Sequence, residues 1–542
     1  ERRRESELRR SLREKSEDLS PRGYAVAPTE REQRELLESV DAALLKRLEE
    51  PKSYFELIWA KTLEAVDDVF FPAGDLDTSG VKEKVVVLGS GWGAQAFVSS
   101  LNADKYEAVI VSPRNFFLFT PMLAGASVGT VEYRSITQPI REANPAVDYL
   151  EATCTDVNPE AKRITCQSVA CEGSVCDIQT FDVDYDHLIV SVGATTNSFG
   201  VAGVSEHCHF LKQIEDAARI RRNVVNCFER ANVPELTDDQ RKAILTFVVI
   251  GAGPTGVEFC AELCDFLEED APKYYPHLMK HVRVKLIEAA DKVLMAFDAQ
   301  LQQEAIQTLT QRNSRLGNSD ATDPFLEIRL QAGVNEVQAS EIKLSDGSSI
   351  PYGLSVWAAG NGPIPLTLDL TNRIPEQESR QQAARGRLVV DPWLRVLGAP
   401  GIWAIGDCSF VESSPCVATA QVAAQQGAFL GRMFSRNYDL DSALPRRAGE
   451  KFGLVQQLSF GESADVLEPF QFLNLGILAY IGDSKALAQI QLDENVLKST
   501  GTAGFALWRS VYLSKQVSWR NRVLVFIDWL KTRAFGRDMT RI

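Results

Sequence analysis

The sequence has no apolar run approaching the ~18 residues that a membrane-spanning helix needs, so no transmembrane segment is expected. Its five histidines are scattered without metal-ligand spacing, and no Asp-x-Asp-x-Asp-Gly calcium loop is present, so no metal site is expected. Of ten cysteines, only Cys260/Cys264 and the set Cys154, Cys166, Cys171 and Cys176 fall near one another. In a chain of 542 residues these read as reduced thiols, not as a disulfide framework. Basic residues are outnumbered, 58 Lys and Arg against 73 Asp and Glu, and a net charge of −15 argues against nucleic acid as a partner. Residues 1–30 alternate Arg and Glu with little apolar content and read as a solvated arm. The opening Glu1-Arg2-Arg3-Arg4 leaves any organellar address unread.

What is present is more specific. Val85-Val86-Val87-Leu88 runs into Gly89-Ser90-Gly91-Trp92-Gly93-Ala94, and Phe247-Val248-Val249-Ile250 runs into Gly251-Ala252-Gly253-Pro254-Thr255-Gly256. Each pattern is a buried parallel strand entering a tight turn that opens a helix. Glycine there permits the turn and lets a pyrophosphate approach the unpaired N–H groups of the helix N-terminus. Two such turns in one chain imply two dinucleotides, most economically a flavin that receives hydride from a nicotinamide. Further apolar strands are expected at Ala108–Ser112, His187–Val192, Val282–Glu288, Ser355–Ala359 and Gly401–Ile405. Short apolar strands separated by longer segments imply parallel sheets covered on both faces.

The fold class is therefore α/β, with two Rossmann-like dinucleotide-binding domains, the second inserted in the first, and a C-terminal membrane-docking region. The expected divisions are an N-terminal extension (1–80), the first part of the flavin domain (81–240), the nicotinamide domain (241–365), the second part of the flavin domain (366–432) and the C-terminal region (433–542). In the extension, Leu37, Val40, Leu44 and Leu48 share one helical face. A second helix opens on a Ser53-x-x-Glu56 capping box, carries Ile58, Trp59, Leu63, Val66 and Phe70, and ends at Pro72-Ala73-Gly74. These helices either pad the main fold or dock a partner.

The strand after the second turn, Val284-Lys285-Leu286-Ile287-Glu288, ends in an acid. Glu288 can accept from both ribose hydroxyls of NADH, and its charge would repel the extra phosphate of NADPH; the plainer alternative is a solvated strand-end carboxylate. After the first turn the equivalent strand ends Ser112-Pro113-Arg114, without an acid. Gly401-Ile402-Trp403-Ala404-Ile405-Gly406-Asp407 delivers an Asp at a glycine turn.

The chain resembles the type II NADH:quinone oxidoreductases, the single-subunit alternative NADH dehydrogenases, and most nearly their plant, algal and protist branch. The resemblance covers roughly residues 81 to 542. It rests on Val87–Ala94, Ser112-Pro113-Arg114-Asn115-Phe116-Phe117-Leu118-Phe119-Thr120-Pro121-Met122-Leu123, Gly253–Phe259, Ala420-Gln421-Val422-Ala423-Ala424-Gln425-Gln426-Gly427 and Leu478-Ala479-Tyr480-Ile481-Gly482. It implies FAD held by Gly89, Gly91, Gly93, Ala94, Arg114, Thr120 and Asp407. It implies NADH as substrate, held by Gly251, Gly253, Gly256 and Glu288. It places a quinone at Gln421 and Gln425, which share a helical face, with Tyr480 and Phe452 as tunnel walls; the alternative for the two glutamines is an exposed Gln-rich turn. Glu258 is expected at the flavin–nicotinamide contact, orienting the carboxamide or relaying a proton, or else serving only the helix dipole. Ala359-Gly360-Asn361 is expected to line the nicotinamide pocket.

The resemblance also implies a homodimer and a peripheral place on the mitochondrial inner membrane, with the chloroplast thylakoid as the alternative. Segment 508–542 has eight basic residues against two acidic, and Trp519, Val523, Phe526, Ile527 and Leu530 form a helical stripe, with Trp508 and Trp529 nearby. Such a helix suits an anionic membrane interface; the alternative is a helix packed on the protein's own core. Two other functions remain open at this point: a flavin reductase with a soluble acceptor, and an NADH-binding flavoprotein with an interaction role. The N-terminal extension could tether an active enzyme to a larger membrane assembly.

Overall fold

The computed structural model describes residues 52–70, 82–169, 178–315, 323–436, 438–442, 444–445, 466–492 and 495–540, with 63–70 and 314–315 as backbone only. The expected helix of Leu37–Leu48, the turn at Pro72–Gly74, Cys171, Cys176 and Phe452 lie outside the described residues. Helix α1 (Tyr54–Phe70) opens on the expected capping box. The Ser53 N–H donates to Glu56 Oε2 at 2.9 Å and the Glu56 N–H to Ser53 Oγ at 3.3 Å.

The first sheet is built on β1 (Glu83–Leu88), β2 (Tyr106–Ser112), β3 (Asp148–Asn158), β4 (Arg163–Ser168), β5 (Thr180–Asp184) and β6 (His187–Val190). The seventh strand arrives only after the second domain. In the second domain, β7 (His209–Phe210), β8 (Thr246–Ile250), β9 (Arg283–Ile287), β10 (Leu326–Arg329) and β11 (Leu354–Trp357) form a parallel sheet in the order β7-β11-β8-β9-β10. The chain then returns, and β12 (Ile402–Ala404) pairs in parallel with β6 to complete the order β12-β6-β1-β2-β3-β4-β5. This is the inserted arrangement. Strands β6, β8, β11 and β12 are buried along their whole length, as continuous apolar runs covered on both faces should be.

One boundary differs from the sequence reading. Strand β7 pairs His209 with Val356 and Phe210 with Trp357, so the second sheet draws on chain well before residue 241. Helix α3 (Ile214–Ala231) belongs with it, and Phe228 stacks on Tyr275. The chain crosses between domains at Thr195–Thr196, paired antiparallel with Asn361–Gly362. The glycine turn announces β8, the central strand of this sheet; a two-residue edge strand has no periodicity to announce it.

Helix α2 (Trp92–Ser100) follows the first glycine turn, and α4 (Pro254–Glu269) follows the second. Helix α5 (Ala420–Ser435) crosses α2 at contact distance, because a Cβ at Gly427 would lie 2.2 Å from the Gly93 carbonyl. Strands β13 (Ile477–Gly482), β14 (Lys485–Leu492) and β15 (Asn495–Ser499) form an antiparallel sheet. That sheet and helices α6 (Gly501–Ser514) and α7 (Trp519–Phe535) make up the C-terminal module, whose β13 lies along α4. No helix among the described residues is long and apolar enough to cross a membrane.

Candidate active site

The two glycine turns have the same geometry. Gly89 and Gly251 take φ of +106° and +101°, and a Cβ there would press on the Ser191 carbonyl at 2.4 Å or the Ala359 amide at 2.9 Å. Gly91 and Gly253 face open space at the helix N-terminus, the cradle a Cβ would fill and a pyrophosphate needs. At the third position, a Cβ on Gly256 would lie 1.8 Å from the Gly251 carbonyl, whereas Ala94 packs fully buried in the first turn. Glu288 braces the second turn. Its carboxylate accepts from the Ala252 N–H at 2.6 Å and the Ala290 N–H at 2.8 Å. The long interval from Gly251 to Glu288 is taken up by the 16-residue helix α4 and the helical turns that follow it.

A cavity of about 930 Å³ opens at the first turn. Gly89, Gly91, Gly93, Arg114, Thr120 and Asp407 are among its walls. Ala94 lies behind them, and Gly251, Gly253, Gly256 and Glu288 stand outside it. From the second domain Pro254, Thr255, Glu258, Trp357, Gly360 and Asn361 close the cavity, and from the C-terminal module Leu478 and Tyr512 do so. Its size, the open face at Gly91 and a carboxylate at the end of β12 fit FAD, with the second domain's helix N-terminus beside it for a nicotinamide.

Two wall-builders escaped the sequence reading. Lys212 reaches Asn361 Oδ1 at 2.8 Å and lies 3.9 Å from the Asp407 carboxylate, and burial lowers its pKa. The buried Gln426 accepts from the Gly406 N–H at 2.7 Å and so fixes the turn that carries Asp407. The first is a lone lysine beyond a two-residue strand, which no pattern marks. The second stands beside the glutamines that drew attention.

Glu258 is buried on α4 as a wall of the cavity and accepts from the Tyr480 N–H at 3.1 Å. Burial pushes its pKa up to about 8, against the pull of that N–H. One turn on, Glu262 is also buried and pushed up to about 7 by burial, with Arg537 opposing. Glu258, Glu262, Asp265 and Glu269 follow one another at helical spacing, so α4 carries a column of carboxylates. Arg312 pairs with Asp265 at 2.7 Å, and Arg537, from the end of the chain, pairs with Glu269 at 2.8 Å and Asp270 at 3.0 Å. The spacing was readable in the sequence; the arginines that make the column tolerable come from other elements and were not.

The quinone-site residues stand differently from the expectation. Gln421 and Gln425 are not walls of the large cavity. The Gln421 amide donates to the Gly476 carbonyl at 2.7 Å and accepts from the Leu475 N–H at 3.2 Å. The Gln425 amide donates to the Leu473 carbonyl at 2.8 Å and accepts from the Leu473 N–H at 3.0 Å. Both side chains therefore hold the backbone that leads into β13, and their neighbours Ala420 and Ala423 face the cavity instead. Tyr480 is buried with its hydroxyl donating to Asp265 Oδ2 at 2.5 Å, and it is not a wall of the large cavity.

The C-terminal stripe divides. Trp519, Phe526, Ile527, Leu530 and Phe535 are 75, 50, 50, 53 and 82% exposed, whereas Trp508, Val525 and Trp529 are buried. Arg509 lies over the Trp529 ring, its guanidinium 4.6 Å from the centroid, and Arg537 is buried among carboxylates, so neither serves the exposed face.

The fold and cavity define a two-dinucleotide oxidoreductase. Residues 83–427 match the model of the pyridine nucleotide-disulphide oxidoreductases, and residues 474–538 match that of the NDH2 C-terminal domain. A mitochondrial external alternative NAD(P)H-ubiquinone oxidoreductase of Arabidopsis thaliana is 35% identical over 86% of this chain and 91% of its own length. A mitochondrial external NADH-ubiquinone oxidoreductase of Saccharomyces cerevisiae is 38% identical over 86% of this chain and 84% of its own. The NDH2 of Plasmodium falciparum, solved in complex with NADH, superposes with a TM-score of 0.72 at 26% identity, covering 85% of this chain and all of that one. The chain belongs to the type II NADH dehydrogenase (NDH2) family.

Proposed function

We propose that this protein oxidises NADH and delivers the electrons to a membrane quinone through FAD, without moving protons across the bilayer, at the mitochondrial inner membrane. The carrying observation is the single cavity walled by the flavin-type turn, by the N-terminus of the second domain's helix and by the C-terminal module. When bound, FAD supplies a two-electron acceptor for the nicotinamide hydride and a donor to the quinone. The residues around it bind and orient. The Gly91 cradle and the N-terminus of α2 hold the pyrophosphate, and Asp407 takes the ribityl hydroxyls, its turn fixed by Gln426. Gly253 and Glu288 hold the pyrophosphate and adenosine ribose of NADH. Glu258, at the junction of the two domains and the C-terminal module, holds or passes a proton at its carboxyl oxygen. Gln421 and Gln425 act by positioning the segment that enters β13, one wall of the quinone path. The exposed apolar face of α7, flanked by Arg520, Arg522, Lys531 and Arg533, seats the protein on an anionic bilayer.

The test uses the purified flavoprotein. Anaerobic NADH should bleach it, a short-chain ubiquinone should restore the colour, and NADH should be consumed in the steady state with either ubiquinone or plastoquinone analogues. Bleaching without reoxidation by any quinone would refute the acceptor half.

A further inference from the structure

The proposed reaction, NADH + H⁺ + quinone → NAD⁺ + quinol, transfers two electrons and the hydride's proton. The quinol therefore takes one further proton from solvent in each turnover. That proton must reach a cavity whose walls are largely protein. This inference rests on the function proposed above.

Two small cavities share Thr130 as a wall, and the first of them is also walled by Glu258. The first, about 10 Å³ and so room for about one water, is lined by Glu258, Glu262, Thr130, Tyr480, Trp508 and Trp529, among others. Glu258 is thus a shared wall, facing the large cavity on one side and this space on the other. The buried Trp508 indole N–H, close to both the Glu258 carboxyl and the Tyr512 hydroxyl, completes no hydrogen bond of normal geometry, which leaves a buried donor for a water. The second cavity, also about 10 Å³, shares Thr130 with the first and is lined by Glu132, Asp528, Lys531 and Asp538. There the side chains of Glu132, Asp538 and Lys531 are 38, 46 and 52% exposed, so this end meets solvent.

Thr130 joins the two. Its hydroxyl donates to Glu262 Oε2 at 2.6 Å and accepts from Arg537 Nε at 3.0 Å. We infer that the solvent proton enters under the C-terminal helix α7, at the acidic mouth formed by Glu132, Asp528 and Asp538, and passes through Thr130 and Glu262 to Glu258. Each link is a group that can both give and take a proton. A proton arriving at Glu262 displaces one onto Glu258, and Glu258 gives its own to the quinone oxygen, so charge and protons balance. The charged and titratable groups facing Glu262 are Glu258, Asp265 and Glu269 on its own helix, Arg537 from the chain end, Tyr480 from β13 and Arg509 from α6. Glu262 and Thr130 are positioning residues for Glu258, since neither reaches the large cavity.

The experiment compares wild-type holoenzyme with Glu262→Gln and Thr130→Val. Both variants are expected to bleach with NADH at the wild-type rate when no quinone is present. Both should lose roughly tenfold or more in turnover with a short-chain quinone, and the decline of that turnover with rising pH should change shape. Infrared titration of the resting holoenzyme should show a protonated-carboxyl band that disappears near pH 7 and is absent from Glu262→Gln. Wild-type quinone turnover and pH profile in both variants would overturn the route while leaving the function intact, as would equal slowing of bleaching and turnover. Failure of the wild type itself to reduce quinone would remove the function beneath it. If Glu262→Gln does not fold, Thr130→Val decides, and a wild-type infrared titration with no such band overturns the route by itself.

Discussion

The side chain of Gln425 meets the backbone of Leu473 in both directions, as donor and acceptor, across 48 positions of sequence. One turn earlier on α5, Gln421 does the same for Gly476 and Leu475. An amide is the side chain that can complete such a pair, because it offers one donor and one acceptor side by side. The C-terminal module is thereby stitched to the flavin domain next to the cavity.

Gln425→Ala leaves a backbone N–H and a carbonyl without partners, at a cost of about 1–3 kcal/mol for each group that water cannot reach. The melting temperature of the holoenzyme should fall, and KM for a short-chain quinone should rise, while bleaching by NADH is unchanged. Gln425→Glu should be at least as damaging, because a carboxylate cannot donate to the Leu473 carbonyl. If Gln425 served only as a quinone ligand, KM would rise with no change in thermal stability.

Glu288 has two roles that a substitution can separate. Its carboxylate braces the second glycine turn through the Ala252 and Ala290 N–H groups, and in the function proposed above its charge opposes the extra phosphate of NADPH. Glu288→Gln removes the charge and keeps an acceptor oxygen for one of the two N–H groups. We expect kcat/KM for NADH to fall by about tenfold, one charge-assisted hydrogen bond, while that for NADPH rises or holds. An unchanged preference between the two coenzymes in steady-state assays would refute this role.

The buried carboxyls of α4 should give the protein an unusual pH dependence. Burial holds the pKa of Glu258 near 8 and of Glu262 near 7 in the folded chain, above the ordinary 4.5. Between those values the folded state binds more protons than the unfolded state, so stability falls as pH rises. The contribution is fully present below about 4.5, is lost as pH climbs through 7 and 8, and is flat above. The double variant Glu258→Gln, Glu262→Gln should lose less of its melting temperature between pH 6 and pH 9 than the wild type. An equal loss in both would place these carboxyls in water.

The features the sequence discloses are those written in contiguous residues. Apolar strands such as Val85–Leu88 and Thr246–Ile250, the glycine turns behind them and the Asp407 turn are local, and each stands in the structure near its expected place. The contacts that could not be read join distant segments. Thr130, Glu262 and Arg537 meet only after three domains have packed, and Lys212 acquires its surroundings from Asn361 and Asp407. Gln421 and Gln425 were visible as a helical pair, but spacing fixes only the face they share. What covers that face, here the segment 473–476, is decided by tertiary packing. In the same way the apolar residues of 508–530 were visible, while the division into buried Trp508, Val525 and Trp529 and exposed Trp519, Phe526 and Leu530 was not.

That division leads to the last prediction. Five large apolar side chains of α7 and its end stand half exposed or more, beside Arg520, Arg522, Lys531 and Arg533. Burying one such side chain in lipid is worth about 1.5–3 kcal/mol, and each basic residue near an anionic surface adds about 1 kcal/mol. The apolar contribution therefore dominates, and it survives salt that screens the basic one. Phe526→Ser with Leu530→Ser removes at least about 3 kcal/mol, more than a hundredfold in partition onto vesicles. In a sedimentation assay with anionic vesicles the wild type should remain largely bound at high salt, whereas the double variant should be released even at low salt. Both residues point away from the core, so bleaching by NADH should be unaffected. Turnover with a long-chain quinone dissolved in the bilayer should collapse, while turnover with a water-soluble quinone persists. Equal vesicle binding by the variant would mean that this face meets something other than lipid.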